Sequence, residues 1–297
     1  MSRSHVPPLI AAAACWGFGA AVSKQAVSHL PPTALLVVQL ASSLALMTVV
    51  GARSFRRDRP SLRVALLGVV NPELAYLLSL AGLATITAGL SVLLWAVEPV
   101  FILGLAWALS ARRPSTRVLI ASAVAVVGAA VAATGEVSGG ALGGVVLTVA
   151  AVGCCAVYAV AAGEWPETSS ASAVVAAQQG VALLFGLSVL GVAAVAGLDV
   201  SVSDVPVVGW LSAVLSGVLY YGLAFWAFIT GLRRTSPSVA GIYVALVPVF
   251  GVAAGWVLVG ERLTFSRVLG GALVVAAVAA VSRSGTATEL RPVAFGR

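Results

Sequence analysis

Apolar runs of about 20 residues recur from one end of this chain to the other, each long enough to cross the hydrocarbon of a bilayer as a helix. Reading for such runs predicts helices over approximately 6–28, 33–51, 62–83, 87–109, 115–134, 140–162, 171–197, 206–231, 236–259 and 265–283. The connections are short, and several carry turn chemistry: Pro31-Pro32, Arg59-Pro60, Gly139-Gly140 and Trp165-Pro166. None is long enough to fold as a soluble domain, so whatever the protein does is done within the membrane. Of its 297 residues only 9% are charged, against roughly a quarter in a soluble domain. So few charges cannot cover a water-facing surface.

The net charge of +7 is spread in short clusters between apolar runs. That is a topology signal; no basic face interleaved with aromatics points to nucleic acid. With the N-terminus inside, Arg3, the Arg53–Arg63 cluster, Arg112, Arg113, Arg117, Arg233, Arg234 and the tail arginines are cytoplasmic. Only Lys24, Arg262 and Arg267 of the 17 basic residues fall outside. The first apolar stretch contains Trp16 and has no small-residue cleavage site, so it reads as a retained helix. Cys15, Cys154 and Cys155 lie in apolar runs without metal-binding spacing and read as packing residues. No cofactor or metal is expected.

The chain repeats itself. A shift of 149 positions lays 62–110 over 211–259 without a gap, with roughly 14 of 49 positions identical. Matches include Gly68/Gly217, Ala75/Ala224 and Gly82/Gly231, then Pro99-Val100-Phe101 over Pro248-Val249-Phe250 and Trp107 over Trp256. The predicted fold class is therefore an all-α membrane protein of ten transmembrane helices, built as two inverted five-helix repeats. The units are 1–135 and 136–284, followed by a cytoplasmic tail over 285–297. An odd helix number makes each copy enter the bilayer from the opposite side, as in alternating-access transporters with a midplane site between halves.

Ionisable groups within apolar spans are functional candidates. Glu73 and Glu98 fall near the middle of the third and fourth helices, antiparallel neighbours joined by a short loop, so the two acids share a depth. Such a pair could bind a proton or a cationic group and release it when the cavity opens to water. The alternative is a protonated Glu bonded to a carbonyl freed by the adjacent Pro72 or Pro99. Thr87, Ser91, Trp95 and Glu98 form a polar stripe on the fourth helix, which must face a cavity or another helix. On the third helix Asn71 precedes Glu73 and Tyr76 follows it. The repeat sets Tyr220 and Tyr221 against Asn71 and Pro72, so the halves differ: acids in one, tyrosines in the other. Pro99 and Pro248 interrupt helices at mid-membrane, as kinks or as direct contacts to substrate. Trp16, Tyr158 and Tyr243 are aromatics well inside helices, where core packing competes with substrate contact. Gln39, Gln178 and Gln179 read as interhelical hydrogen-bonding groups, and Lys24 as a side chain snorkelling to the outer interface.

Two five-helix halves, Trp16-Gly17 in the first helix, and Pro248-Val249-Phe250 leading to Gly260-Glu261-Arg262-Leu263-Thr264 resemble the drug/metabolite transporter superfamily, EamA-like branch. The first-half echo is Glu98-Pro99-Val100-Phe101 with Ala111-Arg112-Arg113-Pro114. The resemblance implies a central cavity lined by helices 1, 3, 4, 6, 8 and 9, and export of small metabolites or drugs. Two departures stand out: Gln39 where the family often has Arg, and Arg112 in the first-half position of the motif's Glu.

The expected function is secondary-active export of a small amphipathic, zwitterionic or cationic solute, of the amino acid or amine class, with protons as a candidate coupling ion. No ATP-binding loop is present in the sequence. A non-transporting accessory subunit is the alternative; an embedded enzyme lacks a constellation, since His5 and His29 are the only histidines and both lie at helix ends. The composition, rich in Ala, Val and Arg with Lys24 as the single lysine, fits a GC-rich bacterial source. The expected location is the inner (plasma) membrane, with both termini cytoplasmic, as monomer or homodimer.

Overall fold

The computed structural model describes residues 6–51, 58–95, 97–98, 101, 104–105, 116–134, 141–164, 169–198, 200–232 and 246–283. The helices are α1 (Val6–Val27), α2 (Pro32–Gly51), α3 (Leu62–Leu83), α4 (Ala88–Trp95), α5 (Thr116–Ala133), α6 (Ala141–Glu164), α7 (Ala171–Val195), α8 (Val207–Gly231), α9 (Val247–Val259) and α10 (Phe265–Arg283). Six of them, α1, α2, α3, α6, α7 and α8, carry spans long and apolar enough to cross a membrane. Large apolar side chains stand exposed on their outer faces, among them Leu184 (68%), Val192 (70%) and Leu211 (64%). Water would penalise that surface and lipid does not. The protein is a multi-pass membrane protein.

The helices pack as two related sets. α1 lies against α8 and α9, and its counterpart α6 lies against α3 and α4; α2 contacts α8 as α7 contacts α3. The pairs α2·α7, α4·α9 and α5·α10 join each helix to its own counterpart. Such reciprocity is what a repeat requires when both copies share one set of interfaces.

The closest approaches use glycine. A Cβ on Gly68 of α3 would overlap the Gln178 carbonyl of α7, and a Cβ on Gly217 of α8 would fall 2.5 Å from the Gln39 carbonyl of α2. These glycines correspond in the repeat, and without side chains they let the backbones touch. The glutamines then bond across the seam they border. Gln178 Nε2 donates to the Val64 carbonyl (3.2 Å). Gln39 Nε2 donates to Ser216 Oγ (2.7 Å), which itself donates to the Ala213 carbonyl (2.9 Å), the repeat counterpart of Val64. The interhelical role expected of the glutamines holds, extended by Ser43 Oγ donating to Gln179 Oε1 (2.7 Å).

The third helix of each set is interrupted by a π-helical stretch, Val69–Leu74 in α3 and Gly217–Leu223 in α8. The shift of 149 residues superposes them. In α3 the cause is local: Asn71 has extended backbone (φ −145°, ψ 117°), the conformation a following proline favours, and Pro72 has no N–H to give. In α8 no proline is present; Gln179 Nε2 donates to the Tyr221 carbonyl at 2.9 Å, an acceptor the irregular ladder leaves available. Wide turns of this kind turn side chains out of register and concentrate at functional sites.

Candidate functional site

Each π stretch buries side chains in the interior, Asn71 and Glu73 in α3 and Tyr221 in α8. From α8 come Tyr220 and Tyr221; from α3, one turn past its irregularity, comes Tyr76. Tyr76 sits at the centre of an aromatic cluster, stacked on Trp95 of α4 (centroids 5.5 Å, planes 26° apart). It meets Tyr220 (5.4 Å), Tyr221 (4.8 Å) and Phe225 (6.4 Å) edge-on. Phe225 continues to Trp16 of α1 (5.4 Å), which also touches Phe228 (5.4 Å). Offset and edge-on contacts of this kind each contribute about 0.5–1.5 kcal/mol beyond area burial.

The cluster has two layers. Tyr76 and Tyr221 are buried, at 5% and 1% exposure, and form the backing. Trp95, Glu98, Tyr220, Phe225 and Trp16 are only half-buried. Trp95 is fixed by donating Nε1–H to Ser79 Oγ (3.3 Å). The Glu98 carboxyl bears electrostatically on Tyr76, Tyr220 and Cys155.

Of the residues singled out from sequence, Trp16, Tyr76, Trp95, Glu98, Tyr220 and Tyr221 come together here. Glu73 does not join Glu98. The two are at matched distances from the α3–α4 turn, but Glu73 points at α7. There a Cβ on Gly186 would lie 2.8 and 2.9 Å from its two carboxylate oxygens. Glu73 is 1% exposed, and its Oε2 has no hydrogen-bond partner among the described residues. Asn71 is buried beside it in the same stretch with Oδ1 likewise unpartnered. Tyr158 donates its hydroxyl to Gln178 Oε1 (3.1 Å), extending the α3–α7 seam. Ser91 is buried in α4, and Thr87 caps that helix by accepting the Leu90 N–H on Oγ1 (3.2 Å) instead of continuing a cavity stripe. Pro248 is buried in the first turn of α9. Pro99 and Tyr243 lie outside the described residues.

Sequence reasoning missed Phe225, although the repeat pairs it with Tyr76, and it missed the task of Glu261. This second-half carboxylate accepts the N–H of Ala88 (2.6 Å) and of Gly89 (3.1 Å), the free donors at the start of α4. Arg267 Nη1 stands 3.5 Å from Glu261 Oε2, both side chains under 10% exposed, and donates to the Arg262 carbonyl (2.8 Å). Nearby, Lys24 Nζ donates to the Leu83 carbonyl (2.7 Å) at the end of α3. Lys24 thus closes a neighbour's C-terminus, where its charge suits the helix dipole, and does more than snorkel. Motif residues at the chain's far end and a lysine of α1 converge on the α3–α4 turn.

This geometry, an interior aromatic cluster split between two repeats, is accompanied by a family match in both repeats. The EamA-like transporter family matches residues 7–134 and 142–283. The chain belongs to the EamA-like transporter family, within the drug/metabolite transporters. No curated protein shows a significant match to it. One solved structure, described only as a crystal structure of a protein, is similar at a TM-score of 0.68 with 18% identity, over 97% of this chain and 98% of its own. That likeness concerns the fold.

Proposed function

We propose that the protein is a secondary-active transporter that exports a small amphipathic, zwitterionic or cationic solute, of the amino acid or amine class, by alternating access between its repeats. On this reading ten helices cross the bilayer and the five-helix units 1–135 and 136–284 run in opposite orientation. The tail 285–297 and the N-terminus are cytoplasmic, and the membrane is the plasma membrane.

One observation carries the reading. The aromatic cluster is assembled across the repeat interface: Tyr76 and Trp95 come from the first repeat, Tyr220, Tyr221 and Phe225 from the second. A binding surface divided in this way is remade whenever the halves rock, which is how a substrate is held on one side and released on the other. Glu73 supports proton coupling, because a buried carboxyl with an unpartnered oxygen and no cation beside it among the described residues carries a proton more cheaply than a charge.

Reconstitution of the purified protein tests both points. Proteoliposomes loaded with amines, amino acids and small carboxylates should show protein-dependent counterflow, and no flux of any of them overturns transport. A pH gradient should drive flux that Glu73→Gln or Glu98→Gln abolishes; undiminished pH-driven flux in both variants removes the coupling.

A further inference from the structure

Resting on the transport reading of the same site, we infer that the Trp95–Glu98–Tyr220 face selects organic ammonium ions that have an apolar body and lack a carboxylate. Zwitterionic amino acids are therefore discriminated against.

The argument is one of charge inventory at depth. Glu73 and Glu98 lie within the apolar spans, whereas every Lys and Arg of the chain falls at a span's end, in a loop or in the tail. Lys24, at the end of α1, is held by the Leu83 carbonyl. The second helix carries Gln39 within its apolar span. Its amide is committed to Ser23 (3.1 Å) and Ser216 (2.7 Å). A carboxylate brought into the cluster would meet Glu98 and no basic side chain among the described residues, at a cost low dielectric magnifies. The start of α9 could offer an anion backbone donors, but Pro248 in its first turn removes one of them.

What the cluster does offer suits a cation. Trp95 and Tyr220 are half-buried, while Tyr76 and Tyr221 pack against them from behind. Aromatic faces attract ammonium groups, tryptophan most strongly, and more so when water is excluded. Glu98, three residues from Trp95 and bearing on Tyr220, supplies the compensating charge. Phe225 and Trp16 extend the cluster with apolar surface for the body of the ligand.

Three ligands that share one body and differ in charge decide the matter: phenethylamine, phenylalanine and phenylacetate, titrated calorimetrically into the purified full-length protein at neutral pH. Phenethylamine should bind about tenfold or more tighter than phenylalanine, and phenylacetate should give no heat of binding. Glu98→Gln should weaken phenethylamine about tenfold at an unchanged melting temperature. Phenylalanine binding as tightly as phenethylamine, any binding of phenylacetate, no binding of phenethylamine, or full affinity in a folded Glu98→Gln variant overturns the inference. Counterflow of the same three compounds in proteoliposomes separates the two levels. Flux of phenylalanine without phenethylamine refutes the cation preference and leaves transport standing. Binding of phenethylamine with no flux of any solute refutes transport and leaves the preference standing.

Discussion

The Glu261 carboxylate receives the Ala88 N–H at 2.6 Å, so a side chain of the second repeat caps a helix of the first, 173 residues away in sequence. The same group faces Arg267 at 3.5 Å. Glu261→Ala would remove the cap and take the facing carboxylate from a buried guanidinium that keeps its bond to the Arg262 carbonyl. A lost cap costs about 0.5–2 kcal/mol, and breaking a buried ion pair costs about 3–5 kcal/mol. Thermal melting of the purified variant should fall by several degrees. Glu261→Gln, which retains one acceptor oxygen, should fall less. Equal melting of wild type and Glu261→Ala would refute this.

Gly186 makes room for Glu73. Gly186→Ala sets a methyl 2.8 Å from the carboxyl and forces it aside, at about 1–3 kcal/mol. In a Glu73→Ala background the same change should become neutral or stabilising, since alanine gains about 1 kcal/mol over glycine within a helix. A double-mutant cycle read by melting reports this reversal of sign; additive effects would break the link between the two residues.

Gly68→Ala and Gly217→Ala should each destabilise by about 2 kcal/mol or more, because backbone, which cannot swing away, occupies the space. The two losses should be similar, as the contacts are counterparts. Gly180→Ala and Gly191→Ala, with nothing within 4 Å of an added Cβ, serve as controls and should be neutral or mildly stabilising. Fluorescence-detected chromatography after a heating series ranks all four.

Tyr76→Phe preserves the ring that joins Trp95 to Tyr220 and Tyr221, and should keep ligand affinity within about threefold. Tyr76→Ala removes the backing of the cluster and a buried aromatic, at about 3–5 kcal/mol of stability. Calorimetric titration of phenethylamine distinguishes the two variants; equal affinity in both would show that the cluster does not hold the ligand.

Much of the architecture is legible in sequence because lipid leaves few options. The limits 62–83 and 206–231 fall within a residue of α3 and α8, since apolar length sets them. The repeat is legible at Gly68/Gly217 because the close approach admits no other side chain. What sequence hides is lateral. Glu73 and Glu98 stand at matched distances from the α3–α4 turn, yet the π stretch rotates Glu73 towards α7, and helical spacing carries no sign of that turn. Thr87 reads as the head of a polar stripe until Glu261 reveals that it starts a helix. Glu261 itself is invisible as a cap, because its partners are backbone N–H groups that any residue would supply.

Glu73 in α3 fills the gap left by Gly186 in α7. Its repeat counterpart Gly222 in α8 is itself the gap, filled by Leu46 of α2 at 2.9 Å. Knob and hole have traded helices between the two halves. The same seam can therefore hold a side chain from either partner, and the acid's address is a choice of half that the fold leaves open. Moving it to position 222, with glycine at 46, would transplant the carboxyl to the mirror location.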